Sequence, residues 1–267
     1  TVTFRLIPSV VPNADAIGVP AVVQELTTRT SGLIIVEGPT GSGKTTLIAS
    51  LINKINHESD KHIYIVEDPN EFLHQENGHT SIVQREIGVH ALDYATAIED
   101  AMRSKPNVIV IGELLDPETT KAALHAATTG HLVITTAHAG SVTEALDSFI
   151  GKFTASEQPQ IRSRLSQSLL AVLVQKLVPT VDGKLTAARE LLINDLNFSE
   201  LIRDEQAHMI RSQIAGAQGC FTLEDSLADL AAKGAITPDI AMAQCKEATE
   251  MQNHLARLGL ITGGLLV

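Results

Sequence analysis

Four short runs of branched apolar residues, at 33–36, 63–66, 108–111 and 132–135, recur along the first half of the chain, each followed by a polar turn. None is long enough for a helix and none alternates with polar residues, so each reads as a strand covered on both faces. Between them, residues 45–56 set Leu47, Ile48, Leu51, Ile52 and Ile55 on one helical stripe. Ala95, Ile98, Ala101 and Met102 form a second stripe that Pro106 closes before the next strand. This alternation predicts an α/β fold, a parallel sheet covered by helices. Beyond residue 149 the pattern changes. Residues 160–178 read as one long helix with Ile161, Leu165, Leu169, Val172 and Leu173 on a face, and Val181-Asp182-Gly183-Lys184 reads as a hairpin turn before a strand at 185–192. Helical patterns at 199–203, 208–215, 222–233 and 238–258 then predict a helical C-terminal subdomain.

Composition narrows the function. A chain of 267 residues, 44% hydrophobic and 19% charged, holds one substantial domain with an appendage and is no disordered tail. Its 20 Lys and Arg against 31 Asp and Glu leave a formal net charge of −11, the wrong balance for gripping nucleic-acid phosphates as a main task. Cys220 and Cys245 are the two cysteines and form no C-x-x-C pair, which fits a reducing compartment. The greasiest stretch, 169–178, is interrupted by Gln175 and Lys176 and falls far short of the roughly 20 residues a membrane span needs. With no leader pattern at the start, the expectation is a cytoplasmic protein without a membrane span.

Gly38-Pro39-Thr40-Gly41-Ser42-Gly43-Lys44-Thr45 matches G-x-x-x-x-G-K-[ST] and sits between a predicted strand and a predicted helix, the context the motif requires. Glycines let the backbone curl so that successive N–H groups face phosphate oxygens, and the next helix adds its positive end. Lys44 then supplies a charge to the β- and γ-phosphates and the Thr45 hydroxyl a ligand to Mg²⁺. A GTPase would carry a base-reading N-K-x-D; Asn53-Lys54-Ile55-Asn56 lacks the acid, so ATP is the expected nucleotide.

A second carboxylate closes the 108–111 strand. Glu113, after Gly112, falls at the carboxyl end of a parallel strand, where ligands bind, and is placed to orient or deprotonate the attacking water or to hold Mg²⁺ through water. Glu67-Asp68-Pro69 ends the 63–66 strand in the same way; these acids either position water or metal or cap the next turn. His131 and His138 bracket the fourth strand, about 23 Å apart at ~3.3 Å per residue, too far to share a metal. His138, at the carboxyl end, is placed to sense the γ-phosphate, while His131 reads as a structural or subunit-contact residue. His125 reads as an ordinary helix residue.

Taken in order, 38–46, Glu67-Asp68-Pro69-Asn70-Glu71-Phe72, Ile109 with Gly112-Glu113, and Thr129-Gly130-His131-Leu132-Val133 with Thr136-Ala137-His138 resemble the Walker A, aspartate, Walker B and histidine boxes of the secretion ATPase superfamily. These are the motors of type IV pili and of type II and type IV secretion, and the resemblance is strongest to pilus retraction ATPases of the PilT type, from Phe4 to about Gly234. It implies a RecA-like P-loop core at 31–195, a helical C-terminal subdomain at 196–267, and a homo-hexamer that hydrolyses ATP with Mg²⁺. The motor would work on inner-membrane pilus or secretion platform proteins, in the cytoplasm and peripheral to that membrane. On this resemblance Gly38, Pro39, Thr40, Gly41, Ser42, Gly43, Lys44, Thr45, Thr46 and His131 contact nucleotide. Thr45 and Glu113 serve the metal; Glu113, Glu67 and His138 support hydrolysis; Arg85 and Arg5 match arginines that act from a neighbouring subunit or domain.

The chain also departs from that pattern. Members carry a PAS-like N-terminal domain, of which residues 1–30 read as remnant and linker, so the expectation is a truncated chain that assembles and hydrolyses poorly by itself. Leu114-Leu115-Asp116 lacks the usual Arg after the Walker B acid. Asn197-Phe198-Ser199-Glu200-Leu201-Ile202-Arg203-Asp204 keeps only the second half of a retraction motif, which brings conjugative and type IVB secretion relatives into view beside retraction. Two cysteines exclude the tetracysteine zinc site of pilus assembly ATPases. Two other readings stand beside the motor: a nucleotide-binding regulatory subunit that does not turn over, and a nucleic-acid translocase, which the charge disfavours.

Overall fold

A computed structural model describes residues 10–261. Its elements are α1 (Ala21–Leu26), β1 (Gly32–Glu37), α2 (Lys44–Glu58), β2 (His62–Glu67), β3 (Ser81–Glu86), α3 (Tyr94–Arg103), β4 (Val108–Ile111), α4 (Pro117–Thr128) and β5 (Leu132–Thr136). There follow α5 (Val142–Gly151), α6 (Gln158–Ser168), β6 (Leu169–Pro179), β7 (Leu185–Ile193), α7 (Leu196–Arg203), a 3-10 turn (Ala207–Met209) leading into α8 (Ile210–Ile214), then α9 (Leu223–Ala232), α10 (Pro238–Gln244) and α11 (Ala248–Arg257).

The strands make one sheet in the order β3-β2-β4-β5-β1-β6-β7. Every pairing is parallel except β6 with β7. Side chains alternate between two apolar layers. Leu33 and Ile35 of β1, with Ile109 and Ile111 of β4, join the layer beneath α3 to α7. Ile34 and Val36, with Val108 and Val110, join the layer beneath α1 and α2. Burial on both faces explains why these strands read as unbroken apolar runs. Side-chain caps set several helix starts: Asp93 accepts from Thr96 N–H, Asp116 from Thr119 N–H and Asp195 from Phe198 N–H.

Several expectations need correction. The helix read at 160–178 ends at Ser168, and Leu169 turns to extended geometry to start β6. With β1 on one side and β7 on the other, this strand lacks polar alternation, and its apolar spacing fits a helix equally well. The Val181–Lys184 turn does form a hairpin, joining β6 to β7 with Pro179 paired to Leu185. The edge strand β3 has no apolar signature in the sequence, since Ser81-Ile82-Val83-Gln84-Arg85-Glu86 is half polar and carries no apolar run. The helix read at 238–258 breaks after Gln244, where the buried Glu224 carboxylate accepts the N–H groups of both Lys246 and Glu247. The residues after 196 divide in two. Phe198, Leu201, Ile202, Ile210 and Ile214 belong to the main apolar layer, whereas α9 to α11 gather with Val178 and Ala188 into a separate cluster. Among the described residues no helix is long and apolar enough to cross a membrane.

Candidate nucleotide-binding site

Strand β1 delivers its last residue, Glu37, into a glycine loop, and the loop enters α2 at Lys44. Gly38 has φ of +141°, and a Cβ there would stand 2.2 Å from the carbonyl oxygen of Gln175, so no other residue fits. Gly43 enters α2 in the left-handed region with φ of +83° and offers no side-chain cap, which leaves the first N–H groups of the helix facing the loop. The Lys44 Nζ donates to the carbonyls of Gly38 at 2.7 Å and Pro39 at 3.2 Å. Burial lowers its pKa; the carboxylates of Glu37, Glu113 and Glu71 pull it back up.

β5 lies between β1 and β4 in the sheet, so the end of β5 separates the glycine loop from the acid after β4. Thr136 Oγ1 donates to Gly112 O at 2.5 Å, locking the two strand ends together. His138 sits 3.3 Å from Lys44 Nζ through Nδ1 and 2.9 Å from Glu113 Oε1 through Nε2. Glu67 ends β2, which pairs with β4. Burial first, then the neighbouring Glu71 and Glu86, push its carboxyl up to about 7, and its Oε2 has no partner. Tyr94, from the start of α3, has its pKa raised by burial and by Asp68, Glu113 and Glu67. Lys44, Thr45, Glu67, Tyr94, Glu113 and His138 face one cleft of about 610 Å³.

A second cleft of about 830 Å³ opens on the other flank of the loop, reached by Gly43 and Thr46 and walled by Gln175, Leu177 and Arg189. Arg189 is 7% exposed. It donates to Gln175 Oε1 at 2.8 Å and to the carbonyls of Gly18 at 2.7 Å and Ile17 at 2.8 Å, while Gln175 Nε2 donates to Ser42 O at 2.6 Å. This buried chain props the glycine loop from behind. Loss of hydration lowers the Arg189 pKa to about 10. Gln175 shows in the sequence only as an interruption of an apolar run; Arg189 and Tyr94 give no signal, because their partners lie far along the chain.

The structure thus gathers the loop residues from Gly38 to Thr46, Glu113, Glu67 and His138. It does not gather the rest. His131 stands at the opposite end of β5, its Nδ1 3.2 Å from Ala126 O. Arg85 is exposed on the edge strand β3, its Nε donating to the Tyr64 hydroxyl at 3.3 Å. Arg5 lies outside the described residues. For a divalent cation the cleft offers hard oxygen donors, the Thr45 hydroxyl and the Glu113 and Glu67 carboxylates, of which Glu67 has an oxygen to spare; this suits Mg²⁺. Among the described residues no cluster of three or more His, Cys, Asp or Glu is tight enough to hold a metal by itself.

A glycine loop between a buried strand and an uncapped helix, facing a carboxylate two strands away in the same sheet, defines a P-loop nucleoside triphosphatase. The model of the type II/IV secretion system protein family matches residues 16–248, and the chain belongs to that family. It is 40% identical to the twitching motility protein of Neisseria gonorrhoeae over 93% of this chain and 67% of that protein. To the type IV pilus retraction ATPase PilT of Pseudomonas aeruginosa it is 37% identical over 91% of this chain and 71% of that protein. The solved structure of the pilus retraction motor PilT with bound ADP superimposes with a TM-score of 0.87 at 36% identity, covering 93% of this chain and 71% of that one. The Legionella pneumophila ATPase DotB superimposes with a TM-score of 0.84 at 30% identity, covering 90% and 66%. This chain is an ATP-hydrolysing enzyme of the kind that drives pilus retraction or secretion.

Proposed function

We propose that the chain is the motor ATPase of a type IV pilus or of a type IV secretion or conjugation machine, and that its hydrolysis is carried out by Glu113 acting across from the glycine loop. The observation that carries this is the row Lys44–His138–Glu113, a cation and a carboxylate held on either side of one imidazole and opening on one cleft. The loop N–H groups and Lys44 bind the β- and γ-phosphates, which shifts Lys44 from the carbonyls of its own loop to phosphate oxygens. The Thr45 hydroxyl, with Glu113 through water, would hold Mg²⁺, which when bound would neutralise charge on the phosphates. Glu113 orients and deprotonates the attacking water, His138 holds that carboxylate in place, and Glu67 bounds the far side of the cleft. The adenosine fits the second cleft, beyond Thr46.

Arg85, exposed on an edge strand, suits a neighbouring subunit's site in a homo-hexamer, and Arg5 is assigned the same service by resemblance alone. His131, away from the cleft, is assigned to the subunit contact. Residues 31–195 are assigned to the ATPase core and those from 196 to a C-terminal subdomain, whose helices α9 to α11 cluster on Val178 and Ala188. The motor works at the inner membrane on platform proteins.

The test is nucleotide binding and hydrolysis by the full chain. Lys44→Ala should lose ATP binding, and single-stranded DNA should leave hydrolysis unchanged. Tight binding by Lys44→Ala would remove the phosphate-loop reading, and stimulation by DNA would favour the translocase.

A further inference from the structure

His138 rides on the segment 136–141 that leaves β5, and the sheet fastens that segment at its upstream end. Thr136 Oγ1 donates to Gly112 O at 2.5 Å, and Ala137 N–H donates to Val36 O at 3.3 Å. Downstream the segment turns into α5. Gly140 N–H donates to Glu144 Oε2 at 2.8 Å, and Ser141 caps the helix by accepting Glu144 N–H at 3.2 Å. The Gly140 carbonyl, two residues past the imidazole, accepts instead from Lys246 Nζ. Among the described residues this is the one hydrogen bond that joins the segment to the α9–α11 region, and hydrolysis through Glu113 and His138 gives it no task.

Lys246 is exposed, and a free surface lysine is too mobile to position anything. Its root, however, is held. The N–H groups of Lys246 and Glu247 donate to one oxygen of Glu224, at 2.8 and 3.0 Å. Glu224 is buried, and its other oxygen accepts from Arg211 at 3.1 Å; Arg211 also pairs with Glu250 of α11 at 3.1 Å. The Gln244 carbonyl accepts from Lys176 Nζ at 3.3 Å, and Lys176 follows Gln175, whose amide holds Ser42 of the glycine loop. The turn 244–247 is therefore pinned to both α9 and β6. From it Lys246 reaches across a cleft of about 470 Å³, which His138, Gly140 and Lys176 also line. From this geometry we infer that Lys246 is a positioning residue: it clasps the peptide after His138 to the C-terminal helices, so that the imidazole stays between Lys44 and Glu113. An ammonium on a carbonyl makes a stronger hydrogen bond than a neutral donor would. The role needs a cationic donor on a long side chain, which Arg also supplies. The inference rests on the proposed roles of His138 and Glu113.

The experiment compares the parent, Lys246→Met and Lys246→Arg as full chains, by steady-state ATP hydrolysis and thermal unfolding. Met keeps the length of the stem without a donor. Lys246→Met should lose about threefold or more in kcat with KM for ATP within about twofold, since the cradle is untouched and only the alignment of the reacting groups is lost. Lys246→Arg should keep kcat within about twofold. All should unfold close to the parent, because the position is exposed. In a His138→Ala background, adding Lys246→Met should cost less than about 1.5-fold more, as both act through one imidazole. Arg257→Met, which removes a positive charge from the exposed end of α11, should leave kcat at the parent level.

Parent-like kcat in Lys246→Met, a rise in KM matching its loss of kcat, an equal loss in Lys246→Arg or Arg257→Met, or a full additional loss in the His138→Ala background would overturn the inference. Glu113→Gln and His138→Ala run alongside separate the two claims. If Glu113→Gln hydrolyses at the parent rate, the site reading fails and takes the positioning role with it. If both variants are impaired while Lys246→Met is not, only the positioning role is wrong.

Discussion

His138 Nε2 lies 2.9 Å from Glu113 Oε1 while its Nδ1 faces the Lys44 ammonium at 3.3 Å. An ammonium can only donate, so Nδ1 accepts and the ring proton resides on Nε2, where Glu113 receives it. The imidazole thereby fixes the orientation of the carboxylate without competing for the water-facing oxygen. His138→Ala should lower kcat by about 10- to 100-fold with little change in ATP affinity, as expected when an oriented base loses its support. Steady-state kinetics beside equilibrium nucleotide binding read both quantities.

Gly38→Ala should cost more than any other exchange in the loop, because the new Cβ would meet the Gln175 carbonyl at 2.2 Å, a contact that backbone alone must relieve. Nucleotide binding should fall by at least about tenfold, since a displaced loop no longer aims its N–H groups at phosphate. Gly41→Ala, which shares a positive φ (+78°) but has nothing within 4 Å of the added Cβ, is the control for backbone strain alone and should bind closer to the parent level than Gly38→Ala.

Arg189→Met should weaken both fold and site. It leaves Gln175 Oε1 and the carbonyls of Gly18 and Ile17 without their donor. Unsatisfied buried acceptors cost about 1–3 kcal/mol each, partly offset by removing a buried charge, so a net loss of about 2–4 kcal/mol is expected. Urea denaturation measures the loss. Freed from Arg189, Gln175 should also hold Ser42 less firmly, raising the Kd for ATP.

Glu37 gives stability a pH dependence of definite sign. Burial raises its carboxyl from 4.5 to about 7, against the pull of Lys152, Ala139 N–H and Lys44. The folded state therefore holds its proton more tightly than the unfolded state does. The contribution is full below about pH 4.5 and is lost as pH rises to about 7, roughly 3 kcal/mol in all. Glu37→Gln should remove this slope, gaining stability relative to the parent as pH rises from about 5 to 8. Denaturation midpoints across that range check it; parallel curves for the two proteins would refute the assignment.

Phe198→Ala should destabilise the whole ATPase core by about 3–5 kcal/mol, the usual cost of emptying a fully buried aromatic site. Phe198 packs in the main apolar layer with Leu165 and Leu192. Unfolding should remain a single transition that shifts to lower temperature, rather than splitting off a C-terminal step.

Legibility in the sequence depends on the range of the contacts that specify each feature. The four parallel strands, α2 and the glycine loop are legible because each is specified by residues adjacent in the chain: a branched run, a helical stripe, a spacing of glycines around Lys44. Glu113 and His138 are legible for a related reason, since parallel strands put their carboxyl ends on one side. The β6 strand reads as helix because 169–178 is buried on both faces, which erases the alternation that separates strand from helix. The break before Ala248 depends on Glu224, more than twenty residues away. Arg189 and Gln175 support the loop through partners supplied by other strands and turns, and only the folded sheet brings these together. Arg85 and His131 stand out in the sequence boxes yet lie outside the cleft, held by Tyr64 and Ala126 of their own chain.

The most direct measurement is phosphate release by Glu113→Gln under saturating Mg²⁺ and ATP, with nucleotide affinity measured on the same protein. ATP should bind as in the parent while hydrolysis falls by at least about a hundredfold, because the cradle is intact and the acid that prepares the water is gone. Phosphate release at the parent rate would contradict it, and would mean that another group cuts the bond.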